Sequence, residues 1–173
     1  MSDAPLAIRP QQAIEPWRDR EWQRLWLALQ HQQWKSFAVV AAAVGAPSDF
    51  PLRVAVTLAR TGMMHLGTPI QVADGTRIPL TALATFIDEM ERCVQNGDKI
   101  LLALAPPQEN PTTTALARSA DLALLCIMLE RMKWGEARKT LDQIGTAKFI
   151  GSAIFHTNGA PESRRGGAPP SSR

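Results

Sequence analysis

The groups in this 173-residue chain able to carry acid–base, metal or nucleophilic chemistry are three histidines, two cysteines and sixteen acidic residues, with no tyrosine. His31, His65 and His156 stand apart from one another, and from Cys or carboxylates at ligand spacing. Neither a metal centre nor His-based catalysis is expected of them. Cys93 and Cys126 match no metal-ligand spacing and no disulfide framework, which points to a reducing compartment. Cys126 lies in an apolar run, where a thiol acts as a small hydrophobe. Asp88, Glu89 and Glu91 cluster beside an apolar helical stripe and read as its solvated side. No G-x-S-x-G nucleophile elbow occurs, so no catalytic residue is assigned.

The elements around these residues alternate regularly. The continuously apolar run 36–44 reads as a strand buried on both faces, PIQVAD at 69–74 is strand-like, and 99–105, 122–129 and 148–155 complete a set read as five buried apolar strands. Helical patterns separate them. Leu52, Val56, Ala59 and Met63 share one face after Asp49, and Leu83, Phe86, Ile87, Met90 and Val94 precede a stop at Asn96-Gly97. Asn110-Pro111 is expected to cap a short helix reaching about Ser119, and Trp134, Ala137, Leu141 and Ile144 mark another, closed by Gly145. Parallel neighbours require crossover helices, so the expected fold is α/β, an open and mainly parallel sheet of five or slightly more strands with helices on both faces. Before it, Trp22, Leu25, Trp26 and Leu29 recur at helical spacing within 16–33. That amphipathic helix is expected to dock on a partner through Trp22, Trp26, Arg20 and Arg24, or to pack on the domain beside it.

Ligands of such sheets bind beyond the carboxyl ends of the strands. A phosphate cradle there needs several glycines, whose N–H groups approach the phosphates, then Lys-Ser/Thr. The loop after the first strand, VGAPSDFPLR, has one glycine, two prolines and no lysine. No G-x-G-x-x-G follows any strand, so no dinucleotide fingerprint is present either.

Laid in order, the segments resemble the P-loop ATPase group that includes the bacterial tyrosine kinases of capsule and exopolysaccharide synthesis and the partition and septum-site ATPases. The resemblance spans about 34–155 and is carried by Pro106-Pro107, Ala120-Asp121, Leu124-Leu125 and Gly151. Thr57-Leu58-Ala59 resembles the group's Asn-Leu-Ala, which sets Phe50-Pro51-Leu52-Arg53 at its Gly-Lys-Ser-Thr positions. The Walker B aspartate falls on Leu104, and of an Asp-x-Asp pattern only Asp74 remains, followed by Thr76. Phosphoryl transfer depends on positioning phosphates and metal, so these departures imply a pseudo-ATPase without a cofactor, with Gly45, Asp49 and Asp74 as vestiges of its pocket.

The resemblance implies a protein-binding, kinase-like module of exopolysaccharide or capsule biosynthesis and export. Its expected partner is the cytoplasmic part of a membrane polysaccharide chain-length regulator, or a related kinase; a homo-oligomer is compatible with the group. The alternatives are an ATP-binding enzyme with an unorthodox pocket and an accessory in partition or cell-pole positioning. The group's kinases autophosphorylate C-terminal tyrosines, which this chain lacks.

Charge narrows the classes further. Residues 36–155 hold eleven basic and eleven acidic residues, so the net charge of +3 comes from the ends. Phosphate tracking needs clustered Lys/Arg, so nucleic acid is not an expected partner. The longest apolar run, Phe37 to Ala46, falls short of the ~20 residues of a membrane span, and the first ten residues lack a signal pattern. The expected location is cytoplasmic, meeting the inner face of the membrane only through a partner. By this reading residues 1–15 are a flexible N-terminus, 16–33 a docking helix, 34–155 the domain and 156–173 a disordered tail.

Overall fold

The computed structural model describes residues 15–129, 133–156 and 161–162. Strands β1 (Ser36–Ala41), β2 (Gln71–Asp74), β3 (Ile100–Leu104), β4 (Leu122–Met128) and β5 (Phe149–Phe155) form one parallel sheet in the order β2-β3-β1-β4-β5. A two-residue β6 (Pro161–Glu162) pairs antiparallel with the end of β5. It falls within the stretch read as a disordered tail; residues 1–14, 157–160 and 163–173 lie outside the described residues. The helices are α1 (Arg20–Gln30), α2 (Phe50–Leu66), α3 (Leu83–Gln95), α4 (Thr113–Ser119) and α5 (Trp134–Ile144).

Every residue of β1 is buried, as its uninterrupted apolar run requires of a strand covered on both faces. Phe37, Val39 and Ala41 face the layer of α1 and α2, whereas Ala38 and Val40 pack into the opposite core with residues of α3 and α4. On the first face lies an aromatic chain. Trp22 meets Phe155 at 5.5 Å between ring centroids, Phe155 meets Phe50 at 5.4 Å, and Trp34 meets both Trp26 and Phe37.

Several boundaries differ from the sequence reading. The first helix breaks at Asp19, whose carboxylate accepts the Glu21 N–H at 2.7 Å and caps α1; Pro16–Arg18 form only a 3-10 turn. Asn110 is not the cap of α4. Its Oδ1 accepts the N–H and hydroxyl of Thr112 in a side-chain turn, and the helix begins at Thr113. The stripe on α2 is also rotated: Val54, Ala55, Leu58 and Gly62 are buried, while Met63 is 42% exposed. Trp134 does not join the core of α5, where Ala137, Thr140 and Ile144 do.

Candidate functional site

The order of strands reverses at β1, so the crevice to examine lies beyond the carboxyl ends of β1 and its neighbours. An anion held there would need unpaired N–H groups at the start of α2. Three of the first four helical positions offer none. Phe50 donates its N–H to Pro47 O at 2.9 Å, Pro51 has none, and Arg53 donates to Asp49 O at 2.9 Å. Phe50 and Pro51 are both buried, with apolar rings where the resemblance sets a glycine and the phosphate lysine. Leu104, at the Walker B position, is completely buried.

The vestigial acids already have partners. Asp49 pairs with Arg53 at 3.2 Å along the helix. Asp74 Oδ1 accepts the N–H of Thr76 at 3.0 Å and its hydroxyl at 2.6 Å, which closes a tight turn at the end of β2. Gly75 lies so close to β3 that a Cβ on it would meet Leu104 Cδ2 at 2.7 Å. Gly45 has φ 95° and donates its N–H to Glu109 Oε1 at 3.4 Å. The three residues thus sit around one crevice, each engaged with the chain itself.

A set of threonines that the sequence reading did not single out closes the crevice. Asn110 Nδ2 donates to Thr76 O and Ile78 O, and Thr112 Oγ1 donates to Ile78 O, which ties the loop after β3 to the loop after β2. Thr113 Oγ1 donates to Ala105 O, and Thr140 Oγ1 on α5 donates to Ala42 O at 2.9 Å. All of these threonines are buried with satisfied hydroxyls, as native interiors require. The run Asn110-Pro-Thr-Thr-Thr114 is the signal that was available, since clustered Asn and Thr bond to nearby backbone.

Apolar side chains rim the same edge. Val44 after β1, Leu80 after β2 and Leu129 directly after β4 are 43%, 78% and 38% exposed. This chemistry suits contact with another apolar surface, not with a triphosphate.

The opposite, amino-terminal edge carries the charged groups with altered acidity, and their work is structural. Asp121 accepts the N–H groups of Lys35 and Ser36 at 2.8 and 2.9 Å. Partial burial alone would raise its carboxyl, but those backbone donors and nearby Lys148 outweigh it and hold the group below the usual range. Burial lowers the Lys99 ammonium, against the pull of Asp121; the group donates to Trp34 O and lies 4.1 Å from that indole's centroid. A carboxyl depressed in the folded state stabilises the fold above its ordinary range and loses that contribution as pH falls through it. Asp121→Asn should therefore flatten the decline in stability between about pH 5 and pH 2. Urea titrations of both proteins across that window check this; parallel declines would refute it.

Trp22 and Trp26, expected as docking contacts, are core residues at 5% and 1% exposure, so in this fold α1 packs on the domain. The opposite face of α1 carries exposed Arg20, Arg24 bridged to Glu21 at 2.8 Å, and half-exposed Leu27. Cys126 is buried and its thiol is pushed up by burial, which makes it inert. Asp88, Glu89 and Glu91 are exposed, as a solvated helix side should be. Among the described residues no group of three or more His, Cys, Asp or Glu is arranged to hold a metal, and no helix is long and apolar enough to cross a membrane. No protein-family model and no curated protein matches the chain.

Proposed function

We propose that this chain is a catalytically silent, protein-binding relative of the P-loop ATPases, acting in bacterial exopolysaccharide or capsule biosynthesis and export. The observation that supports it most is the start of α2. Three of its first four positions offer no N–H, being bonded within the chain or proline, and two buried rings occupy the positions that the resemblance assigns to a glycine and the phosphate lysine. A protein with such a crevice lacks the means to position a triphosphate, whereas exposed Val44, Leu80 and Leu129 offer a surface to a partner. By the resemblance, that partner is the cytoplasmic part of a polysaccharide chain-length regulator or an active kinase of the same fold.

Isothermal titration with ATP and magnesium tests the silent crevice. No binding is expected; a dissociation constant tighter than about 100 μM, about −5.5 kcal/mol, would overturn it. Leu80→Asp combined with Val44→Asp is expected to weaken association with the regulator's cytoplasmic part at least tenfold, roughly 1.4 kcal/mol, with melting unchanged.

A further inference from the structure

On the face of the sheet that carries α5, a cleft of about 650 Å³ runs between that helix and strands β4 and β5. Leu125, Ile127, Leu141 and Phe149 line it, with Trp134, 63% exposed, and Arg138 on the helix side. Its size and mainly apolar lining suit an occupant that brings several apolar groups.

The edge of the same strand supplies a second, independent feature. The inner side of β5 pairs with β4 along its length, but the outer side meets β6 only at Ile154 and Phe155. Among the described residues no strand pairs with the outer edge of Phe149–Ala153. Gly151 and Ser152 are exposed in mid-strand, and a Cβ on Gly151 would meet nothing within 4 Å. A bare strand edge presents N–H and C=O groups that accept another strand.

We propose that this edge and the cleft form one docking site for an extended segment of a partner protein. The segment adds to β5 as an edge strand, seats alternate apolar side chains in the cleft, and carries an acidic residue opposite Arg138. The inference rests on the reading of this chain as a binding module and adds a docking surface apart from the rim of Val44, Leu80 and Leu129.

Three observations select that occupant. The pairing of β6 shows that β5 accepts an antiparallel strand, and the cleft lies beside the part that β6 leaves uncovered. The chain's own sequel to Glu162, Ser-Arg-Arg-Gly-Gly-Ala-Pro-Pro-Ser-Ser-Arg, is basic and has no large apolar side chain to fill the cleft. The α5 side carries a basic excess, since Lys133, Arg138 and Lys139 outnumber Glu136 and Asp142, and Asp142 holds Arg138 only at 3.8 Å. A second copy would set this basic surface against its like, whereas an acidic segment complements it.

The test pans the full chain against a phage-displayed library of random ten-residue peptides, then maps a synthetic copy of the selected peptide by amide hydrogen exchange. Selected sequences should alternate apolar and polar residues and include Asp or Glu. Bound peptide should slow exchange within Phe149–Ala153, and Arg138→Glu should weaken binding at least tenfold. The proposal is overturned if no peptide is enriched, if protection falls elsewhere, if two copies associate through β5, or if peptide binds only once residues 163–173 are removed. Peptides that map to Val44, Leu80 and Leu129 would sink this inference and leave the binding-module reading standing; tight ATP binding sinks that reading by its own route.

Discussion

Replacement of Trp26 by alanine is expected to destabilise the protein by about 3–5 kcal/mol, the usual range for removing a large aromatic from a core. The indole is 1% exposed, stands edge-on to Trp34, and fits against Gly62 on α2, so its loss leaves a cavity between two helices that cannot close without moving one of them. With typical domain stabilities of about 5–15 kcal/mol, that is a large share of the total. The melting temperature should fall by roughly 6–20 °C. Trp26→Phe should cost much less than the lost area suggests. The Trp26 Nε1 is buried without a hydrogen-bond partner, and deleting such a donor returns about 1–3 kcal/mol. Thermal melts of the two variants check both statements; an unchanged melt for Trp26→Ala would mean that α1 does not pack as described. A binding assay built on Trp22→Ala plus Trp26→Ala would therefore report unfolding in place of lost docking.

The second large effect runs against helix propensity. Gly62 lies inside α2, where alanine is ordinarily favoured by about 1 kcal/mol. Here a Cβ would collide with Trp26 Cη2 and lie 2.5 Å from Ile70 Cδ1. The ring is wedged among buried neighbours and cannot rotate away, so overpacking should prevail. Gly62→Ala is expected to be destabilising by about 1–3 kcal/mol in denaturant titrations. In a Trp26→Phe background the same change should cost less, because the smaller ring withdraws from the contact. Equal costs in both backgrounds would show that the two residues do not touch.

The pair also explains what was legible in the sequence. The inner strands β1, β3 and β4 read directly as short apolar runs because each is covered on both faces, and the order of the five along the chain implied the parallel α/β sheet. The outer strands differ: in β2 Gln71 and Asp74 are exposed and Val72 and Ala73 only half-buried, and in β5 Gly151 and Ser152 are exposed, although both were read as buried. The face of α2 was misread because its buried side, Val54, Ala55, Leu58, Ala59, Thr61 and Gly62, ends in a polar residue and in a glycine set against Trp26, which blur the apolar stripe. At the crevice, the absence of lysine and the single glycine were visible in the loop itself. What closes the crevice was not, since Asn110 reaches Thr76, and Thr140 reaches Ala42 and Gln108, only after three loops and α5 assemble.

The central position of β1 carries a consequence for synthesis. Its neighbours are β3, which begins at Ile100, and β4, which begins at Leu122, so the earliest of these strands to leave the ribosome is the one that waits longest for a partner. At ~5–20 residues per second, the roughly 85 residues between Phe37 and Leu122 take about 4–17 s to be translated. Until β3 emerges the oily segment Phe37–Ala41 has neither flank, and until β4 follows it has only one, so the nascent polypeptide is at its most vulnerable to clumping or to capture by a chaperone.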